Sequence, residues 1–204
     1  IYNRANGDEN LFRNDKNYNF FLKRYAEFIY PVAETFAYCL LPNHFHFLIK
    51  TRTTSEIKVY MKTFPKFETL EKLTEELSSK FLSKQFSNLF SAYTQSFNKV
   101  FSRNGSLFQK NFKHKAVGHN TYFANLIHYI HGNPVHHGFC KRLEDWPHTS
   151  YESIVSDKKT LLNKEQVVYW FGSKAEYIES SKSSSNQFSF RNGILSTNHA
   201  FSKV

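Results

Sequence analysis

The sequence predicts an α+β fold in which one antiparallel sheet carries helices on one of its faces. Strand-like segments alternate along the chain with segments whose apolar residues have helical spacing. Residues 34–41 and 44–50 are both strand-like, and only Pro42 and Asn43 separate them. So short a connection indicates an antiparallel pair, because parallel neighbours need a crossover of about a dozen residues or more.

A strand end, a loop and a helix precede this pair of strands. Residues 1–4 are typical of the end of a strand and not of a signal peptide, so we expect further residues upstream. Gly, Asn and Asp in residues 5–10 predict a loop. Asp15 is placed to cap a helix over residues 16–30, which Pro31 ends. The helical spacing is carried by Tyr18, Phe21, Leu22, Tyr25, Ala26, Phe28 and Ile29.

The middle of the chain predicts one long helix between two surface segments. Residues 51–80 are polar and rich in Lys and Glu, so we expect a surface excursion that is partly helical. Residues 81–101 carry aromatic side chains three or four positions apart, which predicts a helix with a packed aromatic stripe. In residues 107–118 aromatic residues lie between basic ones, and we expect a strand or a hairpin.

Helices dominate the predictions for the rest of the chain. We expect one helix over residues 120–131, ended by the Gly-Asn-Pro of residues 132–134. Residues 145–154 predict a loop followed by a short helix, and residues 163–180 predict a last amphipathic helix. The Ser-rich tail that follows has no apolar period, so we expect it to be flexible or ordered only by docking.

Charge and composition narrow the classes of partner. The 204 residues are about the size of one domain, and they include 27 Lys and Arg against 17 Asp and Glu, a formal charge of +10. This excess favours an anionic partner, nucleic acid before a membrane surface, although a merely soluble basic protein remains the alternative. The 22 Phe and 12 Tyr must fill much of the core, and some can stack on unpaired bases.

Cysteine usage and hydropathy exclude several other classes. Two cysteines, Cys39 and Cys140, are too few for a disulfide framework or a thiolate zinc site, and they indicate a reducing, cytoplasmic location. No stretch approaches the roughly 20 apolar residues that a membrane span needs, so we expect no membrane partner.

Two histidines stand one residue apart in the apolar strand over residues 44–50. His44 and His46 point to the same face, because side chains alternate along a strand. Neighbouring imidazoles can bind one divalent cation. The alternative is a pair of hydrogen-bonded core histidines, and the His-x-His pattern alone does not decide between the two.

A tyrosine and an asparagine on the helix before residue 134 extend this candidate site. Tyr129 and Asn133 are four residues apart, so they share one helix face. Asn133 precedes Pro134 and is expected at the end of the helix, where its amide oxygen can be a third metal ligand. Tyr129 can then be a nucleophile beside the metal. Free tyrosine has a pKa of about 10, and a nearby cation is one way to ionise it near neutral pH.

Four segments in fixed order resemble a known family. These are YCLLPNHFHFLIK, GSLFQKNFK, YIHGNPVHHG and DWPHTSYES. Together they resemble the single-tyrosine HUH transposases, and within them the REP-associated tyrosine transposase branch. The resemblance covers residues 1–155, with 51–80 as an insertion, and leaves 156–204 as a helical extension and flexible Ser-rich tail. His148 stands where relatives often carry an aromatic residue.

The resemblance implies a fold, a reaction and a role for each matching residue. It implies a ferredoxin-like domain with the histidines on a central strand. His44 and His46 would bind Mg²⁺ or Mn²⁺ with Asn133, and Tyr129 would be the catalytic residue. Family members cut single-stranded DNA at or near a hairpin, become linked to its 5′ phosphate, and rejoin strands. The phosphodiester bond energy is kept in the phosphotyrosine, so strand transfer needs no ATP.

Basic residues around the predicted hairpin are candidates for DNA binding. Arg103, Lys110, Lys113 and Lys115 flank Phe108 and Phe112. Cations interleaved with aromatic rings suit single-stranded DNA, because phosphates are neutralised while bases stack. The alternative is a solvated strand face over core phenylalanines.

Three function classes remain open from sequence. The first is a metal-dependent transposase or single-strand nuclease, and the second is a domesticated protein that binds hairpin DNA without cutting it. A metal-dependent hydrolase that uses water is third, and it leaves the placement of Tyr129 unexplained. A monomer and a homodimer are both compatible with the resemblance. A second metal site among His128, His131, His136 and His137 is less favoured than exposed or phosphate-facing rings.

Overall fold

A computed structural model of the chain describes residues 1–63, 74–118 and 120–192. Its sheet contains β1 (Tyr2–Arg4), β2 (Ala33–Leu41) and β3 (His44–Thr51) in the order β1-β3-β2, with both pairs antiparallel. The α+β class and the antiparallel sheet predicted from the sequence are therefore confirmed. The tight connection at Pro42 and Asn43 joins β2 to β3 as expected.

Residues 107–113, the edge segment, run along the outer side of β1 and pair with it through isolated bridges. Tyr2 and Lys113 exchange two backbone hydrogen bonds, each 2.9 Å long. The backbone N–H of Gln109 donates to the carbonyl of Arg4, also at 2.9 Å. The resulting order, edge segment-β1-β3-β2, leaves β3 in the interior of the sheet. The paired histidines of β3 therefore lie on a central strand.

Seven α-helices are found in the described ranges. They are α1 (Asp15–Phe28), α2 (Thr54–Met61), α3 (Glu75–Val100), α4 (Asn120–His136), α5 (Tyr151–Val155), α6 (Lys164–Phe171) and α7 (Lys174–Asn192). A 3-10 turn, Leu143–Asp145, precedes α5. None of the helices in these ranges is long and apolar enough to cross a membrane.

α1 and α3 cover one face of the sheet with an aromatic core. Phe45 and Phe47 of β3 are almost fully buried there, and the ring of Phe47 stacks on Tyr25 of α1 at 4.2 Å. Tyr93 of α3 is also buried, and its hydroxyl donates to the carbonyl of Leu11. The aromatic stripe predicted for α3 is therefore part of the core.

α4 packs on the opposite face, which corrects the prediction of helices on one face only. Ile127 and Ile130 of α4 share a buried cluster with Cys39 of β2 and Leu48 of β3. β2 is apolar at nearly every position, and only a strand that is buried on both faces has that pattern. The sequence of β2 thus requires a second layer of helices.

The C-terminal helices complete the layer around α4. α7 packs along α4, and α6 contacts both α7 and β2. Tyr177 of α7 is fully buried in the same cluster as Ile127. Val167 of α6 and Tyr177 of α7 therefore share a hydrophobic core with the sheet.

Several predicted helix boundaries differ from the structure. Asn14, and not Asp15, caps α1, because its side chain accepts the backbone N–H of Asn17. The long middle helix begins at Glu75, six residues before the predicted start, and part of the excursion over residues 51–80 is the helix α2. Residues 64–73 of that excursion lie outside the described residues.

The C-terminal boundaries differ as well. The single helix predicted over residues 163–180 is two helices, which Gly172 separates with a φ of +87°. The Ser-rich stretch expected to be flexible is helical as far as Asn192. Residues 193–204 of the predicted tail lie outside the described residues.

Candidate active site

His44 and His46 lie side by side on the face of the sheet that α4 covers. Their ring centroids are 5.3 Å apart, and both residues are half-buried. Phe45 and Phe47 point into the opposite core, so the alternation of β3 holds the two imidazoles in place. The predicted pairing of the histidines on one face is therefore present.

Asn43 sets the orientation of the first imidazole. Its side-chain oxygen Oδ1 lies 2.7 Å from Nδ1 of His44. An amide oxygen only accepts hydrogen bonds, so Nδ1 carries the proton and Nε2 keeps its lone pair. Metal-binding histidines are commonly fixed in this way, with the second ring nitrogen donating to an oxygen.

Burial keeps both imidazoles neutral. It lowers the pKa of His44 to about 4, helped by the positive charges of His137 and Arg4. It also lowers the pKa of His46 to about 3, with the charge of His44 as a further cause. Only the neutral imidazole binds a metal ion, so both rings are in the binding form at neutral pH.

Tyr129 brings a phenol from α4 to the histidine pair. Its ring centroid is 5.7 Å from that of His46, and the two ring planes meet at 84°. Tyr2 of β1 stacks on the same imidazole from another side, at 5.9 Å and 23°. The ring of His46 thus contacts two tyrosines, one from the sheet and one from the helix.

Asn133 lies one helical turn from Tyr129 and is only 1% exposed. Its side-chain nitrogen donates to the carbonyl of Tyr129 at 2.8 Å, while its buried oxygen Oδ1 has no hydrogen-bond partner. A buried amide oxygen without a partner costs roughly 1–3 kcal/mol. A cation bound at this oxygen would remove that cost, which makes Asn133 suitable as a ligand.

α4 continues through Pro134 to His136. Asn133, which the sequence predicts at the end of the helix, therefore lies inside it. The backbone N–H of His137 still donates to the carbonyl of Asn133 at 2.9 Å. His137 therefore follows Tyr129 and Asn133 on the same helix face. Its ring lies 5.1 Å from that of His44. On this side of α4, Tyr129 contacts His46 and His137 contacts His44. Asn133 lies between Tyr129 and His137 along the helix face.

Two imidazoles and one amide oxygen are a donor set that Mg²⁺ and Mn²⁺ accept, with Mn²⁺ the better match for the nitrogen ligands. In the described parts of the chain, no three His, Cys, Asp or Glu side chains are grouped to bind one ion. Any ion here would therefore keep positions for phosphate or water oxygens beside the ligands from His44, His46 and Asn133.

Arg103, which the sequence predicts as a DNA-binding residue, uses its guanidinium for contacts within the chain. Its Nε donates to both carboxylate oxygens of Glu9, at 2.8 and 2.6 Å. Its terminal nitrogens donate to Asn98 and to the carbonyls of Gly105 and Ser106. The guanidinium therefore holds the turn after α3 in place.

The three predicted lysines are exposed, whereas the predicted aromatics are not. Lys110 and Lys113 of the edge segment and Lys115 just after it are all exposed. Phe108 is buried in the core and Phe112 packs against Phe86 at 5.0 Å. These two rings are core residues, as the alternative interpretation held, and Phe108 is closed to a base.

β1 contributes two site residues that the sequence did not single out. Register pairs Tyr2 with His46 and Arg4 with His44, so both β1 side chains lie on the histidine face. Lys113 pairs with Tyr2 from the outer side and continues the same row. No local pattern reveals this arrangement, because it depends on pairing between strands about 40 residues apart in the chain.

His131 is buried, in contrast to the expectation of exposed or phosphate-facing rings on this helix. Its Nε2 is 2.6 Å from Oγ of Ser150, and its Nδ1 is 2.8 Å from the hydroxyl of Tyr177. Burial lowers the pKa of His131 to about 3, with the charge of His128 as a smaller cause. This ring connects α4 to α7 and lies in the core.

Comparisons with known proteins agree with this picture. No model of a known protein family matches the chain. A REP-associated tyrosine transposase of Haemophilus influenzae is 27% identical over 126 residues, which is 62% of each chain, so this chain spans less than two thirds of that relative's length. The structure of a REP-associated tyrosine transposase bound to a REP hairpin has the same fold, with a TM-score of 0.51 and 17% identity over 76% of this chain and 77% of that one. These likenesses support the family that the four ordered motifs resemble.

Proposed function

We propose that the chain is a tyrosine transposase that cuts single-stranded DNA next to a hairpin, with Tyr129 as the nucleophile. The observation that carries this proposal is the contact of the Tyr129 ring with His46, beside His44 on the central strand. The sequence likeness to a REP-associated tyrosine transposase supports the same conclusion.

In this proposal His44, His46 and Asn133 hold Mg²⁺ or Mn²⁺. The bound ion would neutralise charge on a non-bridging oxygen of the scissile phosphate. Asn43 keeps the proton of His44 on Nδ1, so Nε2 remains free for a ligand bond. The hydrogen bond from Asn133 to the carbonyl of Tyr129 ties the amide ligand to the helical turn that carries the nucleophile.

The chemical step exchanges one phosphoester bond for another. The oxygen of Tyr129 loses its proton and attacks phosphorus, and the bond from phosphorus to the 3′ oxygen breaks. The departing 3′ oxygen takes up a proton, and the 5′ phosphate stays on the tyrosine. Attack by a 3′ hydroxyl of another strand reverses the step and releases Tyr129, so strand transfer needs no further energy source.

In this proposal, basic residues of the sheet bind the DNA backbone. Arg4 lies beside His44 in the register of β1 and β3, and Lys113 lies beside Tyr2. Together with exposed Lys110 and Lys115 they give the site a cationic rim that favours phosphates. The solved relative with this fold is bound to a REP hairpin, which supports hairpin DNA as the partner.

A denaturing gel tests the proposal directly. The protein is mixed with Mn²⁺ and a 5′-labelled or 3′-labelled hairpin oligonucleotide that carries single-stranded flanks. We expect a covalent protein–DNA band with the 3′ label alone, because the 5′ phosphate stays on the protein. Tyr129→Phe abolishes this band, whereas Tyr169→Phe, at an exposed tyrosine on α6, leaves it unchanged.

Other outcomes separate the remaining classes. Retardation on a native gel without cutting indicates a hairpin-binding protein that has lost its activity. Released DNA without a covalent band indicates a hydrolase that uses water. Cutting that survives Tyr129→Phe removes this residue from its proposed role.

A further inference from the structure

A continuous run of rings leads from His44 to the surface at the end of α4. His44 contacts His137 at 5.1 Å, and His137 contacts Phe139 at 6.5 Å. Phe139 in turn contacts Trp146 at 5.4 Å. We call His137, Phe139 and Trp146 the aromatic shelf. It begins beside His44, one of the proposed metal ligands, and ends outside the site described above.

The position of Phe139 follows from how α4 ends. Gly138 adopts a φ of +74°, and its backbone N–H donates to the carbonyl of Val135 at 3.0 Å. The N–H of Phe139 donates to the carbonyl of Pro134 at 2.8 Å. This pair of bonds is a Schellman motif, which turns the chain back across the helix end. Phe139 is therefore held beside His137 by backbone geometry.

Trp146 gives the shelf a fixed base. Its indole N–H donates to the carbonyl of Leu40 at 3.0 Å, which ties it to β2. Its far side meets His148 at 5.7 Å, and His148 stacks on Tyr18 at 3.5 Å. The ring that supports Phe139 is thus immobilised before any ligand arrives, which lowers the entropy cost of binding.

The shelf is accessible although its support is rigid. The side chain of Phe139 is 45% exposed, His137 is exposed, and Trp146 is half-buried. Most phenylalanines whose exposure the structure describes lie inside or against the core, and among these Phe139 is the exposed one. An accessible ring next to the reacting centre is more than the fold needs.

We propose that the aromatic shelf is a stacking subsite for an unpaired base of the nucleotide adjoining the scissile phosphate. This inference rests on the proposed function and adds to it the way in which the substrate's base is held. A phosphate at His44 would have Arg4 on the β1 side and the shelf on the α4 side. The phosphate of one nucleotide would then lie beside Arg4, and the base of the same nucleotide would lie against the aromatic shelf.

The surroundings of the shelf favour a single strand over other occupants. Bases in a duplex are covered by their neighbours, whereas an unpaired base exposes a face that any aromatic ring can accept. The nearby acidic residue Asp145 is paired with Arg142 at 2.7 Å, and Lys141 is exposed two residues after Phe139. The charges next to the shelf are therefore of both signs. The shelf would contribute to DNA binding through contacts of its rings with a base.

Fluorescence anisotropy with two labelled probes tests the subsite. The probes are an oligothymidylate of twelve nucleotides and a blunt duplex of the same length. We expect Phe139→Ala to weaken binding of the single strand about five- to tenfold, at the low end of the loss per stacked base. Binding of the duplex should stay unchanged, and Phe139→Tyr, which keeps the ring, should bind the single strand as the original protein does.

A second signal reports the contact itself. In a Trp170→Phe background Trp146 is the remaining tryptophan, and stacking next to it should quench its emission when oligothymidylate is added. Phe139→Ala should reduce this quenching. Tyr169→Ala is the matched control, because that ring is 77% exposed but lies on α6, and it should change neither signal.

The outcomes distinguish failure of the subsite from failure of the proposed function. Tight and selective binding of the single strand that Phe139→Ala leaves unchanged overturns the subsite and leaves the cutting proposal intact. Equal weakening for single strand and duplex overturns stacking as the cause. A protein that shows no preference for the single strand over the duplex overturns the subsite, whereas the covalent band on the denaturing gel decides the cutting proposal separately. Urea denaturation midpoints of the variants confirm that each is folded.

Discussion

The hydrogen bond from His44 to Asn43 decides which nitrogen of that imidazole faces the site. The side chain of Asn43 is free to do this because its backbone is engaged separately, with its carbonyl accepting the N–H of Ala5 at 2.8 Å. Truncation of the side chain therefore removes the orienting oxygen and keeps the turn between β2 and β3. This separation of roles makes Asn43 a clean position for a test.

Asn43→Ala is expected to weaken Mn²⁺ binding about tenfold, because the imidazole of His44 loses its fixed tautomer and orientation. Isothermal titration of the DNA-free protein with Mn²⁺ measures the affinity. Asn104→Ala, at an exposed asparagine in the turn after α3, is the control and should bind as the original protein does. Equal affinity for both variants would show that Asn43 does not orient the ligand.

His131 makes the stability of the fold sensitive to acid. Its pKa is about 3 in the folded chain, against about 6.5 in an unfolded one, so the unfolded state takes up a proton first as the pH falls. The stabilisation is fully present above pH ~6.5 and is lost progressively down to pH ~3. We expect this residue to account for a loss of about 2 kcal/mol between pH 7 and pH 5.

Urea denaturation at both pH values measures this loss. His131→Gln keeps a donor and an acceptor but does not titrate, so its unfolding free energy should fall less steeply with pH, whatever its stability at pH 7. His44 and His46 also have lowered pKa values and give both proteins a shared background slope. Identical slopes for the two proteins would contradict a neutral, buried His131.

Single residues differ in how well the sequence predicts them. The shared face of His44 and His46 follows from strand alternation alone, and the shared face of Tyr129 and Asn133 follows from helical spacing. The ion pair between Arg103 and Glu9 could not be predicted, because the two residues are 94 positions apart in the chain. A basic residue in a basic segment looks the same in sequence whether it faces solvent or an internal carboxylate.

Among the elements, α4 departs most from its predicted form. The Gly-Asn-Pro sequence at 132–134 is a strong signal for a helix end, yet the helix runs to His136. A proline in the last turn removes one N–H donor, and the Schellman motif at Gly138 satisfies the carbonyls beyond it. The extra turn brings His137 to His44. Local sequence rules therefore identify the helix-breaking residues correctly but place the end of α4 too early.

Gly138 is required for this helix end. An L-residue at its φ of +74° is strained, so Gly138→Ala should lower the free energy of unfolding by about 1 kcal/mol. Gly118→Ala is a matched control, because Gly118 has no such φ and an added Cβ there meets open space. Urea denaturation compares the two variants. A loss of the same size in both would mean that the φ of Gly138 carries no strain cost.

At the scale of the whole molecule, two helical layers enclose the sheet, and the second layer includes the C-terminal helices. β2 indicates this enclosure through its apolar residues on both faces. The sequence does not reveal which helix fills the second face, because amphipathic helices are interchangeable in pattern. The position of α4 follows from tertiary contacts with β2 and α7.

Tyr177 joins the C-terminal extension to this core. Tyr177→Ala should lower the free energy of unfolding by about 3–5 kcal/mol, because it leaves a large cavity and removes the partner of His131. Tyr169→Ala in the same extension should change it by less than about 0.5 kcal/mol. Chemical denaturation followed by circular dichroism measures both. A small loss for Tyr177→Ala would indicate that the extension is dispensable for the fold.

The contact between Tyr129 and His46 is made within a single chain, because α4 is packed against its own sheet. Under the proposed function, each copy in this arrangement would carry both the nucleophile and the metal ligands, and dilution would not separate them. A mixture of a Tyr129 variant with a variant of the two histidines would then stay inactive, because neither protein can supply the residue that the other lacks.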